Sequence, residues 1–255
     1  MRMLLLHGFG GRGASWRPVI QALPDGLDVM APDLPGHGGQ FAGPLPADFE
    51  ATVDALAAAH LAAADPTHVV GYSLGGRLAL GLAFRRPEKI SSLTLIGVRP
   101  GLDAADRCPR SELDRRRAQT LREDLPEFFK SWSRLPLFES QRSLDPSILE
   151  NQRQVRLGHS PEGLAWAMET LSPGRMPDYL PRLGELTMPV HWITGAFDAP
   201  YLALADSIRR RGHAFRFSTV PECGHNGPLE APAAVAGLLE ESVFSPAPVP
   251  AEISA

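Results

Sequence analysis

Three residues in this chain suit acid–base or nucleophilic chemistry, and each stands at the end of a short apolar run. Gly71-Tyr72-Ser73-Leu74-Gly75-Gly76 follows His68–Val70 and leads into the helix-like stretch Gly76–Arg85. A sharp strand-to-helix turn needs small flanking residues, and it lifts the serine hydroxyl clear of the sheet above a helix amino terminus. A serine alone is a weak nucleophile and a weak base, so it needs a histidine oriented by an acid. Thr194-Gly195-Ala196-Phe197-Asp198 sets an acid just past the run Val190–Thr194, and Cys223-Gly224-His225-Asn226 sets a histidine just past Phe215–Val220. Taken singly, these are a Gly-rich turn, a helix N-cap and a loop histidine. In the order serine, acid, histidine, at successive strand ends, they are expected to form a catalytic triad of Ser73, Asp198 and His225.

A second loop points the same way. His7-Gly8-Phe9-Gly10-Gly11 directly follows the run Met3–Leu6. Its glycines let backbone approach a reacting oxygen, and the Phe9 amide together with the Leu74 amide is expected to form an oxyanion hole. A phosphate loop is disfavoured, because the Walker lysine and the dinucleotide glycine spacing are both absent. Asp33-Leu34-Pro35-Gly36-His37-Gly38 is expected to be a turn near this face, with Asp33 and His37 structural. The eight histidines are scattered without ligand spacing, so no metal site and no cofactor is expected. Cys223 is read as a packing residue.

These loops need a scaffold with all its strand ends on one edge. Candidate strands are Met3–Leu6, Leu27–Ala31, His68–Val70, Ser91–Ile96, Val190–Thr194 and Phe215–Val220, and several are apolar throughout, as central strands of a parallel sheet are. Helical stretches at Phe49–Ala63, Gly76–Arg85, Leu202–Arg211 and Ala233–Glu241 alternate with them. The expected fold is α/β, a mostly parallel sheet flanked by helices. Between Arg99 and Leu186 the alternation stops, and only helix-like segments appear: Ser111–Leu121, Pro126–Ser133, Pro146–Leu157 and Pro161–Leu171. The expected organisation is a core of residues 1–98 and 187–244, a helical cap of 99–186 over the strand ends, and a disordered Pro-rich tail at 245–255.

Composition narrows the class. The chain has 255 residues, 44% hydrophobic and 21% charged, with a net charge of −4, so no broad basic surface suggests nucleic acid or a stable membrane association. No apolar run reaches the roughly 20 residues of a membrane span, and the short apolar start lacks a signal-peptide core. Two cysteines exclude a disulfide scaffold. A cytoplasmic enzyme is expected, of unread oligomeric state. The 24 glycines and 25 prolines fall mostly at turns and helix starts rather than in a disordered region.

HGFGG, DLPGHG, GYSLGG, the late Asp198 and the late Gly224-His225 together resemble the α/β-hydrolase fold over nearly the whole chain. A narrower resemblance rests on Arg77 after the turn, Pro100-Gly101-Leu102, Arg107-x-x-Arg110-x-x-x-Asp114, Trp132-x-x-x-Pro136-Leu137-Phe138 and Gly224-His225-Asn226. Together these look like the 2-succinyl-6-hydroxy-2,4-cyclohexadiene-1-carboxylate synthase family of menaquinone biosynthesis, called MenH. The resemblance implies a lyase that eliminates pyruvate from 2-succinyl-5-enolpyruvyl-6-hydroxy-3-cyclohexene-1-carboxylate. Ser73, deprotonated by His225, would act as a base; Tyr72, Arg77, Arg110 and Trp132 would bind substrate. The chain departs from the family pattern in three places. Ala199-Pro200-Tyr201 replaces a Lys-Phe past the acid, Gly227-Pro228 stands where a second histidine is common, and only six residues precede His7, too few for an amino-terminal hairpin.

From Arg99 to Arg122 there are seven arginines and four acids. A polycarboxylate small molecule wants bidentate guanidinium partners. Arg77 and Arg110 are expected to serve it, whereas Arg115, Arg116, Arg117 and Arg122 are read as a solvated helix face. A serine carboxylesterase or thioesterase working through an acyl-enzyme remains the alternative, and a non-catalytic binding module the least favoured reading.

Overall fold

Met3, Leu4, Leu5 and Leu6 must alternate between the two faces of a sheet, yet all four are fully buried. Leu4 and Leu6 join one apolar cluster, Met3 and Leu5 another. Strand β1 (Arg2–Leu6) therefore lies between two helical layers, which explains its unbroken apolar sequence. The computed structural model describes residues 1–38 and 44–244; the tail expected at 245–255 lies outside them. The other strands are β2 (Asp28–Met30), β3 (Thr67–Tyr72), β4 (Ile90–Ile96), β5 (Val190–Gly195) and β6 (Arg216–Val220). They form a six-stranded sheet in the order β2-β1-β3-β4-β5-β6, with every pairing parallel.

The helices are α1 (Arg17–Ala22), α2 (Phe49–His60), α3 (Leu74–Arg85), α4 (Ala104–Glu123), α5 (Leu125–Trp132), α6 (Pro146–Leu157), α7 (Pro161–Thr170), α8 (Ala199–Arg209), α9 (Gly227–Glu230) and α10 (Pro232–Phe244). Val19 of α1 and Val235 and Leu239 of α10 cover one face of the sheet. Phe49 and Val53 of α2, Leu78 and Leu82 of α3 and Ile208 of α8 cover the other. The chain leaves β1 for β2 on one side and returns to β3 on the other. That reversal opens a crevice at the carboxyl ends of β1 and β3, where open α/β sheets bind ligands.

Helices α4 to α7 all fall between β4 and β5. Their apolar faces make a cluster of their own, from Ala118 and Leu121 through Phe128 and Phe129 to Leu164 and Met168. Phe9, in the loop after β1, packs against both this cluster and the sheet cluster.

Several element starts differ from the sequence expectation. Helix α4 begins at Ala104 rather than Ser111 and runs through Pro109; an internal proline is a breaker only in the absence of tertiary packing that outweighs its missing N–H. Helix α8 begins at Ala199, with Pro200 in its first turn, where no N–H is needed. Helix α3 begins at Leu74, directly after the serine.

Candidate active site

Ser73 sits at φ 51°, ψ −108°, a left-handed conformation that a side-chain-bearing residue adopts only when its surroundings hold it there. The turn from β3 to α3 is tight enough to exclude side chains around it. A Cβ on Gly75 would collide with the Leu6 carbonyl, and one on Gly71 with the backbone of Gly75 and Gly76. The Ser73 N–H bonds the Ile96 carbonyl at 2.9 Å, which extends the β3–β4 ladder into the turn.

Asp198 follows β5 and occupies the N-cap position of α8, but its side chain makes no cap bond. Instead its Oδ2 accepts from His225 Nδ1 at 2.7 Å. With Nδ1 donating to a carboxylate, Nε2 is the accepting nitrogen, and Ser73 Oγ donates to it at 3.1 Å. The Asp198 and His225 side chains are buried. Glu230, in α9, fixes the histidine loop from both sides: Oε2 accepts from the Gly224 amide at 2.7 Å and Oε1 from the Asn226 amide at 2.9 Å.

The loop carrying Phe9 is held by three histidines. His37 Nε2 accepts from the Gly10 amide at 3.1 Å, and His159 Nε2 donates to the Gly10 carbonyl, also at 3.1 Å. His7 donates from Nδ1 to the Gly8 carbonyl at 2.8 Å and accepts the Leu34 amide on Nε2 at 2.9 Å. Each ring works both as donor and as acceptor, so each must be neutral. Burial enforces this by pulling His7 and His159 down to about 4 and His37 well below its ordinary value. Gly10 is thereby gripped at both its N–H and its C=O. Among the described residues neither the Phe9 nor the Leu74 amide has a backbone acceptor, and both residues line the same cavity as Ser73.

That cavity is about 840 Å³ and is lined by Tyr72, Ser73, His225, Trp132, Phe138 and Tyr201, among others, with Arg77, Arg99, Arg110, Arg117 and Arg156. The Arg77 guanidinium donates to the Leu171 carbonyl, and burial with the nearby Arg110 charge lowers its pKa to about 10. Arg110 Nε and Arg117 Nη1 converge on the fully buried Asp114, at 2.7 and 3.1 Å, and Ser172 Oγ donates to the same carboxylate at 2.8 Å. Arg156 is buried, stacks over Phe129 and Phe138, and donates to Ser133 Oγ at 2.8 Å.

The chain matches the α/β hydrolase family over residues 3–238. It is 33% identical over 243 residues to 2-succinyl-6-hydroxy-2,4-cyclohexadiene-1-carboxylate synthase of Salmonella typhimurium, a match covering 94% of this chain and 92% of that one. The chain belongs to this synthase family, within the α/β hydrolases. The synthase of Enterobacter sp. is 32% identical over 243 residues, covering 94% of this chain and 90% of its own. The structure of MenH from S. aureus superposes with a TM-score of 0.86 at 28% identity, over 94% of this chain and 92% of that one. An esterase from Thermogutta terrifontis, with malate bound, gives 0.80 at 29% identity, over 95% and 89%.

Within this family member the structure brings together all the residues singled out in the sequence: Ser73, Asp198, His225, Phe9, Leu74, Tyr72, Arg77, Arg110 and Trp132 all line or support one crevice. Trp132 lines the cavity and also packs on Phe9 and Phe128. Arg117 requires a correction. It lies over the Trp132 ring at 5.2 Å and faces the cavity, because three residues along a helix from Asp114 puts it on the buried side. Arg115 and Arg116 pair with Glu112 at the surface, and Arg122 with Glu162 and Glu169.

Arg156, Tyr201, Glu230 and His159 escaped the sequence reading. Arg156 is on the inner side of α6, a helix whose exposed face carries similar residues, so only packing distinguishes it. Glu230 left a faint signal, an acid four residues past Asn226 and able to reach back to its amide. Asp33 and His37 are structural: Asp33 accepts the Gly13 amide at 2.7 Å. Cys223 is fully buried and its thiol is pushed up to about 12, which suits packing rather than chemistry. Among the described residues no helix is long and apolar enough to cross a membrane.

Proposed function

We propose that this chain eliminates pyruvate from 2-succinyl-5-enolpyruvyl-6-hydroxy-3-cyclohexene-1-carboxylate to give 2-succinyl-6-hydroxy-2,4-cyclohexadiene-1-carboxylate, a step of menaquinone biosynthesis. The observation that carries this reading is a Ser73–His225–Asp198 relay opening into an arginine-lined cavity of about 840 Å³. A substrate with three carboxylates needs several guanidinium partners in a site large enough for a substituted ring.

In this mechanism His225 Nε2 takes the Ser73 proton, and Asp198 stabilises the imidazolium that forms. Ser73 Oγ then removes the proton of the ring carbon that bears the succinyl group, alpha to its carbonyl. The released electron pair delocalises toward the succinyl carbonyl, whose oxygen is met by the Phe9 and Leu74 amides. The pair returns to form a double bond from that carbon to its ring neighbour, the existing ring double bond shifts one position along, and the carbon–oxygen bond to the enolpyruvyl group breaks. Pyruvate leaves as its enolate and takes up a proton. Residues 99–186 act as a cap over this chemistry, inserted into a core of residues 1–98 and 187–244.

Ester hydrolysis is the second reading, favoured by the likeness to the malate-bound esterase. A pyruvate-release assay on the enolpyruvyl substrate, run beside p-nitrophenyl esters with wild type and Ser73→Ala, separates the two. The lyase reading expects pyruvate release that Ser73→Ala abolishes. Rapid ester turnover through an acyl-Ser73 adduct, with no pyruvate formed, would replace it.

A further inference from the structure

The cavity arginines differ in how far the protein itself engages them. Arg77 is held by the Leu171 carbonyl, Arg110 and Arg117 by Asp114, and Arg156 by Ser133 and two aromatic rings. Arg99 stands apart. Among the described residues its guanidinium has no hydrogen bond and no ion pair, and its one specific contact is the face of Tyr201, 5.9 Å from the ring centre.

Its backbone is nevertheless firmly placed. Arg99 lies three residues past β4, between the buried Val98 and Pro100. The Gly97 amide donates to the Ile193 carbonyl at 3.0 Å, and the Pro100 carbonyl accepts from the Tyr179 amide at 3.0 Å. The side chain therefore grows from a rigid root at the same sheet edge as Ser73. Tyr201 places it further: its ring centre is 4.5 Å from that of His225. Arg99, Tyr201 and His225 thus form a row that ends at the reacting serine.

A half-buried guanidinium without a protein anion forgoes hydration that an incoming carboxylate would offset, and its donors match a carboxylate two at a time. The charges of Arg77 and Arg110 reach the Tyr201 hydroxyl as well, opposed by that of Asp198, and the Arg99 charge acts on it more strongly than any of these. We propose that Arg99, braced on the Tyr201 ring, is a specificity-determining residue that holds one substrate carboxylate beside His225. This rests on the lyase reading above and extends it to a residue outside the expected set of Tyr72, Arg77, Arg110 and Trp132.

Steady-state pyruvate release from the enolpyruvyl tricarboxylate tests it, with wild type, Arg99→Gln and Arg99→Lys. Losing one charge-assisted carboxylate contact is expected to raise KM about 10- to 100-fold in Arg99→Gln, with kcat changed less than about threefold. Arg99→Lys keeps the charge and loses the planar fork, so it is expected to recover part of the KM loss. An Arg99→Gln KM within about twofold of wild type, or a loss confined to kcat, overturns the Arg99 assignment while leaving the lyase reading intact. A wild type that forms no pyruvate overturns the lyase reading itself.

Discussion

His159 ties the helical insertion to the loop that presents the Phe9 amide, and acid should undo that tie. The ring accepts the Gly38 amide on Nδ1 at 2.8 Å and donates from Nε2 to the Gly10 carbonyl at 3.1 Å. Around it stand His37, with ring centres 5.5 Å apart, and the charges of Arg12 and Asp33. Arg12 in turn donates to the Gly158 carbonyl. Protonating Nδ1 would turn an acceptor into a donor facing the Gly38 N–H, and burial accordingly lowers His159 to about 4. A histidine near 6.5 when unfolded and about 4 when folded binds more protons unfolded. Its contribution is therefore complete above about pH 6.5 and is withdrawn as pH falls toward about 4. Integrated from about pH 7.5 to about pH 5, the loss is about 2 kcal/mol from this residue alone.

His159→Asn isolates that contribution. The asparagine Oδ1 can still accept from Gly38, but the donor to Gly10 is gone, so the variant should be less stable by about 1 kcal/mol at about pH 7.5. It has no group left to titrate. Urea unfolding of both proteins should therefore show curves of stability against pH that converge, and cross before about pH 5. His68 and His191 are also lowered by burial and drop out of the comparison; His7 and His37 are lowered in part by the His159 charge itself, so removing it relaxes them and adds to the convergence. A stability gap that stays constant across the range would refute the assignment of a neutral, doubly bonded His159.

Three further outcomes are expected. Asp114→Asn removes the shared counter-charge of Arg110 and Arg117; because these side chains are 32% and 24% exposed, the stability loss in urea unfolding should be about 2 kcal/mol rather than the larger value of a dry pair, with a raised substrate KM. Glu230→Gln leaves one amide beside His225 without its acceptor, so kcat should fall about tenfold with KM little changed in steady-state assays. Gly75→Ala drives a methyl group into the Leu6 carbonyl, and the melting temperature measured by circular dichroism should fall by an amount matching a loss above about 3 kcal/mol.

The α/β architecture was legible because its signals are local. A strand buried on both faces must be apolar throughout, as Met3–Leu6 is, and a sharp turn into a helix must be small on both sides of Ser73. Strand ends on one edge then place Phe9, Ser73, Asp198 and His225 within reach of each other, since parallel strands all point the same way. Helix starts were less legible. Pro109 reads locally as a stop, and only packing of α4 against α7 carries the helix through it.

The arginines mark the other boundary. Arg115, Arg116 and Arg117 are chemically identical neighbours, and only the 100° turn between successive helical residues separates the one facing Trp132 from those facing solvent. Arg156, His159 and Glu230 act through partners distant in sequence or across a bend in the chain, so no local pattern marks them. Backbone conformation and burial pattern follow from short stretches because their causes span a few residues. Which side chain meets which anion, carbonyl or ring depends on surfaces joined only after the chain has folded.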